Sequence, residues 1–189
     1  MIKWILTLLL ILITTSHVLA SEVNVDLLKT ALIDLPLDDE ARLKPLAELA
    51  AYYLYIDPKK SAYYSNQILV SPKLQDNNSS KARALRLLGQ AEMYQGLNKE
   101  AFAHLSQAIE SSNKSENYHL ISVSNRALGV FYELLIDHDN AIKYYIEALK
   151  FAKLSDNRED LAMVYNNLGN VLNSQNDYVN AAEYFEKSI

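Results

Sequence analysis

The sequence predicts an all-α fold in which antiparallel helix pairs stack side by side into a solenoid. Three blocks, 87–109, 127–149 and 167–189, align without a gap at a spacing of 40 residues. Gly and Pro are scarce, with 4 of each, which disfavours a fold built on tight turns. Asp or Asn recurs at the breaks between apolar stretches, where these residues begin helices. Each block is therefore predicted to form a helical hairpin.

The segment 1–20 has the pattern of a secretory signal peptide. Lys3 supplies a positive charge, an apolar run covers 4–13, and the small residue Ala20 precedes a cleavage site. The run is shorter than the roughly 20 residues of a membrane-spanning helix, and an uncleaved anchor is the alternative. We therefore expect an exported protein, periplasmic or at the periplasmic face of the inner membrane if bacterial. Membrane contact is expected only if the signal is uncleaved or a spanning helix follows residue 189.

The rest of the chain divides into a short leading segment and the repeats. Residues 21–37 are predicted to form an amphipathic helix that ends at Pro36. We expect this helix to cap the solenoid. Residues 38–189 are the predicted solenoid, with units at about 41–80, 81–120, 121–160 and 161–189. The last unit is incomplete and leaves an apolar helix face without the polar cap that repeat proteins carry. We expect either that the chain continues past Ile189 or that a partner covers this face.

A glycine recurs at one position of each clear unit, and a small residue follows it twelve positions later. Glycine in a helix costs about 1 kcal/mol relative to alanine, so its recurrence needs a structural reason. We predict that it lets the two helices of a hairpin approach closely, because a Cβ would hold them apart. The structural positions predicted in this way are Gly89, Gly129 and Gly169, with Ala101, Ala141 and Ala181.

Helix starts are marked by Asp and Asn at repeating positions. Asp57 precedes Pro58, and this pair suits the N-cap and first position of a helix. The same position is occupied by Asp137 and Asp177 in later units. The turns between units are marked by Asn77, Asn117 and Asn157.

The Leu-Gly pair, followed by a small residue and then a large one on the same helix face, resembles the tetratricopeptide repeat. The best-known form has about 34 residues. The longer spacing here is similar to variants in the N-terminal periplasmic regions of bacterial signalling proteins. The resemblance covers about residues 40–189 and implies a right-handed superhelical solenoid. The departures are Leu49, where the first unit lacks the glycine, and Glu92 and Leu172, which replace the aromatic residue present as Tyr132.

The resemblance also implies a peptide-binding groove, because the first helix of each pair lines the concave face in this family. Three positions are implied to face the groove: three residues before the glycine, one after it and four after it. They include two arginines, which pair with carboxylates, and several amides, which bridge a peptide backbone. The implied groove residues are Arg86, Gln90, Met93, Arg126, Val130, Glu133, Asn166, Asn170 and Asn173.

No catalytic or metal-binding constellation is visible in the sequence, so we predict neither an enzyme, nor a cofactor, nor a metal site. It shows no Gly-rich phosphate loop, nucleophile elbow or paired-acid motif. His104 is predicted to pack between helices, because Tyr144 and Tyr184 share its position. His119 and His138 have no acid or His partner at metal-ligand spacing. A net charge of −5 gives no reason to bind nucleic acid.

The chain is rich in tyrosine, with 13 residues clustered mostly on predicted helices. A ring-lined groove for peptide or carbohydrate is one interpretation. We favour the other, in which the rings fill gaps between helices and the hydroxyls reach the surface.

Two functional hypotheses follow. The first is an exported, non-catalytic solenoid that binds a protein or peptide of unknown identity. The second is the N-terminal periplasmic sensory region of a longer membrane-bound signalling protein, such as a diguanylate cyclase or a histidine kinase. The signal peptide followed by long-period repeats resembles such proteins. An exported hydrolase with this fold is less supported, because no acid–base pair accompanies it.

Overall fold

The computed structural model describes residues 25–37, 39–74 and 77–189. The predicted signal peptide, residues 1–20, lies outside the described residues. Within them, no helix combines the length and the apolar character needed to cross a bilayer.

The described residues form nine α-helices and two 3-10 turns, which confirms the predicted all-α solenoid. The first helix, α1, covers residues 25–34, and the 3-10 turns are Glu40–Arg42 and Pro72–Leu74. The other helices are α2 (Leu43–Tyr53), α3 (Pro58–Leu69), α4 (Asn78–Tyr94), α5 (Asn98–Lys114), α6 (Tyr118–Leu134), α7 (His138–Ser155), α8 (Arg158–Ser174) and α9 (Tyr178–Lys187).

Helices α2 to α9 form four consecutive hairpins, each with a first helix (A: α2, α4, α6, α8) and a second helix (B: α3, α5, α7, α9). The short α1 packs on the first hairpin, where Val25 is buried against Leu49 and Tyr53. Arg42 holds the end of α1 in place. Its Nη1 donates to the carbonyls of Leu32 and Leu35, which lack partners within the helix.

Asp and Asn side chains cap the helices where the sequence predicts them. Each accepts a hydrogen bond from the backbone N–H three residues later, an arrangement that contributes about 1 kcal/mol. One exception is α5, where Leu97 takes the cap position and makes no such bond. The capping residues are Asp57, Asn77, Asn117, Asp137, Asn157 and Asp177.

The core runs between the helices of each hairpin and between neighbouring hairpins. One cluster joins a B helix to the A helix of the next unit, so each unit buries its apolar face on its neighbour. Its buried members are Ala141, Tyr145 and Ala148 of α7 and Val164, Leu168 and Val171 of α8.

The three helical glycines face a large side chain on the opposite helix of their hairpin. A Cβ on Gly89 would lie 2.8 Å from Cγ of Leu105 and 3.1 Å from the carbonyl oxygen of Ala101. Carbon atoms pack best at about 3.5–4.0 Å, so a side chain here would force the helices apart. The equivalent shortest distances are 2.5 Å from Gly129 to Tyr145 and 2.6 Å from Gly169 to Phe185.

In the second, third and fourth hairpins, the turn between the A and B helices contains a residue with positive φ. Gly96 has φ 75° and Asn176 has φ 63°, and both residue types commonly adopt this conformation. Ile136 has φ 60° at the same position, which is strained for a β-branched residue. Its N–H donates to the carbonyl of Glu133 at 2.9 Å, so the closing hydrogen bond of the helix end holds it there.

Candidate functional site

The four A helices line a concave cleft of about 280 Å³, which we call the cleft. Residues 40 apart in the sequence lie side by side here, so no single unit provides the surface. Its floor includes the apolar side chains of Leu120, Val123 and Met163. Its charged residues and its one histidine are Glu48, Arg83, Arg86, His119, Arg126, Glu159 and Asp160.

Arg86 on α4 and Arg126 on α6 occupy equivalent positions of adjacent units within the cleft. The Nε atom of each is buried and has no hydrogen-bond partner among the described residues. No carboxylate in the described part of the chain forms an ion pair with either of them. A buried donor without a partner costs about 1–3 kcal/mol. The two side chains are therefore suited to a ligand that accepts hydrogen bonds.

The charge of Arg86 is enclosed and held in position. Burial, together with the nearby positive charges of Arg126 and Arg83, lowers the pKa of Arg86 to about 10, so it stays protonated at neutral pH. Its Nη1 donates to Oε1 of Gln90 at 2.6 Å, and Gln90 itself is buried. A desolvated and oriented guanidinium is a strong binding group for an oxyanion.

A histidine–aspartate pair lies in the same cleft, nearer the start of the A helices. Nδ1 of His119 on α6 lies 2.5 Å from Oδ2 of Asp160 on α8, and Asp160 is only 4% exposed. The sequence showed no acid partner for His119 at metal-ligand spacing, and the structure supplies Asp160 from the next unit. The repeat period itself could have revealed it, since stepping 40 residues from His119 arrives beside Asp160.

In α4 and α6, the groove position predicted four residues after the glycine faces the partner helix instead of the cleft. Met93 is 6% exposed and packs in the core with Leu105. Glu133 accepts a hydrogen bond from the hydroxyl of Tyr145 at 2.5 Å. Burial and this bond raise the pKa of Tyr145. Met93 and Glu133 therefore do not line the cleft, because their positions hold the two helices of a hairpin together.

The other predicted groove residues are divided between the core and the exposed surface. Gln90 lies behind Arg86, and Val130 is half-buried between two core clusters. The predicted asparagines of α8 are exposed, and Nδ2 of Asn170 donates to Oδ1 of Asn166 at 3.2 Å. They lie outside the lining of the cleft, and so does Asn173. Of the nine predicted residues, the structure places the two arginines in the cleft.

In the three units with a glycine, the residue three positions after it contacts an equivalent position of the B helix. The residue types in this contact differ from unit to unit. In the second hairpin, Oε2 of Glu92 lies 2.7 Å from Nδ1 of His104, so His104 has a polar partner that the sequence did not predict. In the third, the rings of Tyr132 and Tyr144 stack with centroids 5.5 Å apart. In the fourth, Leu172 and Tyr184 line the same small pocket, which is separate from the cleft.

Most tyrosines with a ring neighbour pack between helices, as favoured from the sequence. Tyr53 and Tyr64, for example, stack with centroids 5.8 Å apart. Tyr55 and Tyr94 differ, because their rings contact each other at 5.5 Å while remaining 74% and 42% exposed. Tyr94 lies near the cleft: burial raises its pKa to about 12, and the positive charge of Arg126 opposes that rise.

The described residues offer no group of three or more His, Asp or Glu side chains arranged to hold a metal ion. His138, at the start of α7, has a buried Nδ1 without a hydrogen-bond partner in the described part of the chain. The cleft therefore presents hydrogen-bond donors and charge as its recognisable chemistry.

Comparison with known proteins agrees with this architecture. Residues 120–189 match the family model described as Tetratricopeptide repeat. This segment is similar to that family, and the described part of the chain has a tetratricopeptide-like solenoid fold. No curated protein matches the sequence.

Three solved structures show the same fold at low sequence identity. The apo form of RapI has a TM-score of 0.68 and 21% identity, over 85% of this chain and 58% of RapI. A Rap protein complexed with Competence and Sporulation Factor has a TM-score of 0.74 and 18% identity, over 80% of this chain and 43% of that protein. BtubC from P. vanneervenii has a TM-score of 0.66 and 18% identity, over 89% of this chain and 69% of BtubC. This chain thus spans about half the length of the two Rap-type proteins.

Proposed function

We propose that this chain is a non-catalytic module that binds an extended segment of a protein or peptide partner in the cleft. The observation that carries the proposal is the pair of buried Nε atoms on Arg86 and Arg126, which have no partner among the described residues. A segment that brings a hydrogen-bond acceptor to these atoms removes the cost of leaving them unpaired.

The apolar floor and the neighbouring structures support this function. Val123 and Met163 line the cleft beside the arginines, so a segment can bury apolar groups as well as polar ones. The Rap protein solved in complex with Competence and Sporulation Factor shares the fold, with a TM-score of 0.74. A solenoid of this kind is therefore compatible with ligand binding.

Site-specific photo-crosslinking in the native host tests the location. A benzophenone amino acid at Met163, on the floor of the cleft, is expected to form a covalent adduct with a partner protein. The same group at Lys150, exposed on the B helix α7, is the control. The double variant Arg86→Gln with Arg126→Gln should abolish the adduct at Met163.

Two results would contradict the proposal. One is an adduct at Lys150 without one at Met163, which would place the partner on the outer face. The other is an adduct at Met163 that persists at full yield in the double arginine variant. Circular dichroism of that variant shows whether the helices remain folded.

We also propose that the module is exported, and a second candidate function places it as the periplasmic sensory region of a longer membrane-bound signalling protein. The supporting observation is the pattern in residues 1–20, namely Lys3, the apolar run 4–13 and Ala20 before the cleavage site. An immunoblot of fractionated cells with an antibody to residues 81–160 separates the candidates. A membrane-bound band much larger than 189 residues supports the sensory region. A band of about this length in the soluble exported fraction contradicts it, and a cytoplasmic band contradicts export.

A further inference from the structure

We propose that the cleft, together with the exposed pair Tyr55 and Tyr94 outside its lining, recognises an acidic side chain and an aromatic or bulky apolar side chain a few residues away in the same partner segment. This inference rests on the proposed function and specifies the chemistry of the bound segment. Three features carry it: the arginine pair, the exposed tyrosine pair, and the rows of side chains that connect them.

Each row is a line of residues spaced four apart along an A helix, and it winds slowly around the helix surface. Residues at this spacing are neighbours along the helix surface. On α4 the row starts at an arginine, passes a buried amide and ends at a ring that is 42% exposed: Arg86, Gln90 and Tyr94. On α6 the equivalent row starts at an arginine and ends at an aliphatic side chain that is 57% exposed: Arg126, Val130 and Leu134.

The next row along the solenoid has different chemistry. On α8 the equivalent residues are Asn166, Asn170 and Ser174, which bond to one another along the helix. The row on α8 therefore has neither an arginine at its first position nor an apolar side chain at its last. The combination of a guanidinium with an apolar end is therefore confined to α4 and α6.

The acidic part of the segment is expected at the arginine end of the rows. A carboxylate accepts two parallel hydrogen bonds from a guanidinium, and Nε–H is one of the donors that takes part in such pairs. The same cleft carries Glu48, Glu159 and Asp160, which repel a second or third negative charge. The cleft therefore suits one isolated acid and disfavours a nucleic-acid backbone.

The apolar part of the segment is expected at the other end, on the tyrosine pair. Tyr55 follows α2, and its ring lies 5.5 Å from the ring of Tyr94 at an angle of 57°. Most other ring pairs lie between helices, whereas both rings of this pair remain partly exposed to solvent. Aromatic rings prefer such offset and tilted contacts, so a third ring or a branched aliphatic side chain can pack on the pair.

The helix geometry sets the separation of the two side chains in the segment. Residues eight apart on a helix, such as Arg86 and Tyr94, are separated by about 12 Å along the axis. An extended peptide covers about 3.3 Å per residue. The acid and the apolar residue should therefore lie three or four positions apart.

Fluorescence anisotropy with labelled synthetic peptides tests this recognition. The probe is a ten-residue Gly/Ser peptide with one Asp and one Phe four positions apart. Matched peptides replace Asp by Asn, replace Phe by Ala, or place the two residues adjacent. We expect the Asp/Phe probe to bind at least about tenfold more tightly than the Asn peptide, because the charged hydrogen bonds are lost. The Ala and adjacent-residue peptides should lose about threefold to tenfold.

Protein variants assign the two parts of the probe to the two ends of the rows. Arg86→Gln should remove the preference for Asp over Asn, and Tyr94→Ala should remove the preference for Phe over Ala. The controls are Arg158→Gln and Tyr178→Ala, which alter exposed residues outside the cleft. Both controls should bind like the wild type. In the ¹⁵N spectrum, the Nε–H signals of Arg86 and Arg126 should shift with the Asp probe.

The outcomes separate this inference from the proposed function. Equal affinity for all peptides, or none for any of them, overturns the acidic–apolar recognition. Inorganic phosphate that displaces the probe at equal concentration also overturns it, because the site would then bind any oxyanion. In each of these cases a crosslink at Met163 leaves the proposed function standing. Only the loss of that crosslink would contradict both the proposed function and this inference.

Discussion

At the scale of the single residue, glycine sets the distance between the two helices of a hairpin. The closest approach is at Gly129, where an added Cβ would lie 2.5 Å from the ring of Tyr145. That ring is fully buried, and its hydroxyl is held by Glu133. It cannot move aside without breaking a hydrogen bond and opening the core.

We therefore expect Gly129→Ala to destabilise the protein, although alanine is the better helix former. Helix propensity alone would stabilise the variant by about 1 kcal/mol, whereas overpacking costs about 1–3 kcal/mol or more at so short a contact. The net loss should be about 1–2 kcal/mol, measured as the free energy of unfolding in urea.

Gly96→Ala is the matched control, because nothing lies within 4 Å of a Cβ at that position and the only cost is its φ of 75°. It should lose about 1 kcal/mol through backbone strain alone. A Gly129→Ala protein as stable as the wild type would show that the helices can separate at little cost.

At the scale of the element, the hairpin explains which predictions from the sequence succeed. Caps and glycine contacts join residues within one hairpin, so local chemistry and repeat position are enough to predict them. Asp137, for example, bonds to a backbone N–H only three residues away. The all-α solenoid was predictable for the same reason, since each unit repeats the same local pattern.

The faces of the A helix were harder to assign from the sequence. One turn separates Arg86, which lines the cleft, from residues that contact the partner helix, and Met93 was assigned to the wrong face. Positions seven apart lie within about 20° of the same face of a helix, so spacing alone assigned Met93 to the face of Arg86. In the structure, residues of α5 and α6 pack over the last turns of α4 and bury Met93. No residue next to Met93 in the sequence marks it as a core residue. The same position holds Met93, Glu133 and Asn173 in successive units, and these apolar, charged and amide residues share no chemistry that would assign the position to one face.

At the scale of the whole molecule, the cleft is a product of stacking, and its chemistry differs from one junction between units to the next. His119 of α6 bonds to Asp160 of α8, which ties the third unit to the fourth. Between the second and third units, Arg86 and Arg126 bring like charges together. The described residues contain no side-chain hydrogen bond between α4 and α6 to offset this repulsion.

Distances between spin labels should reveal this difference. Ala103, Lys143 and Glu183 are exposed at equivalent positions of α5, α7 and α9. With labels at Ala103 and Lys143, the distance distribution should narrow when the Asp/Phe probe binds. With labels at Lys143 and Glu183, it should stay unchanged. Narrowing of both distributions, or of neither, would contradict a junction-specific effect.

The His119–Asp160 bond therefore has a mechanical consequence. It joins the third unit to the fourth, whereas on the other side of the third unit the two arginines repel each other and the described residues form no side-chain hydrogen bond between α4 and α6. We expect a bound carboxylate to offset the repulsion between Arg86 and Arg126 and so to hold the second and third units more firmly together.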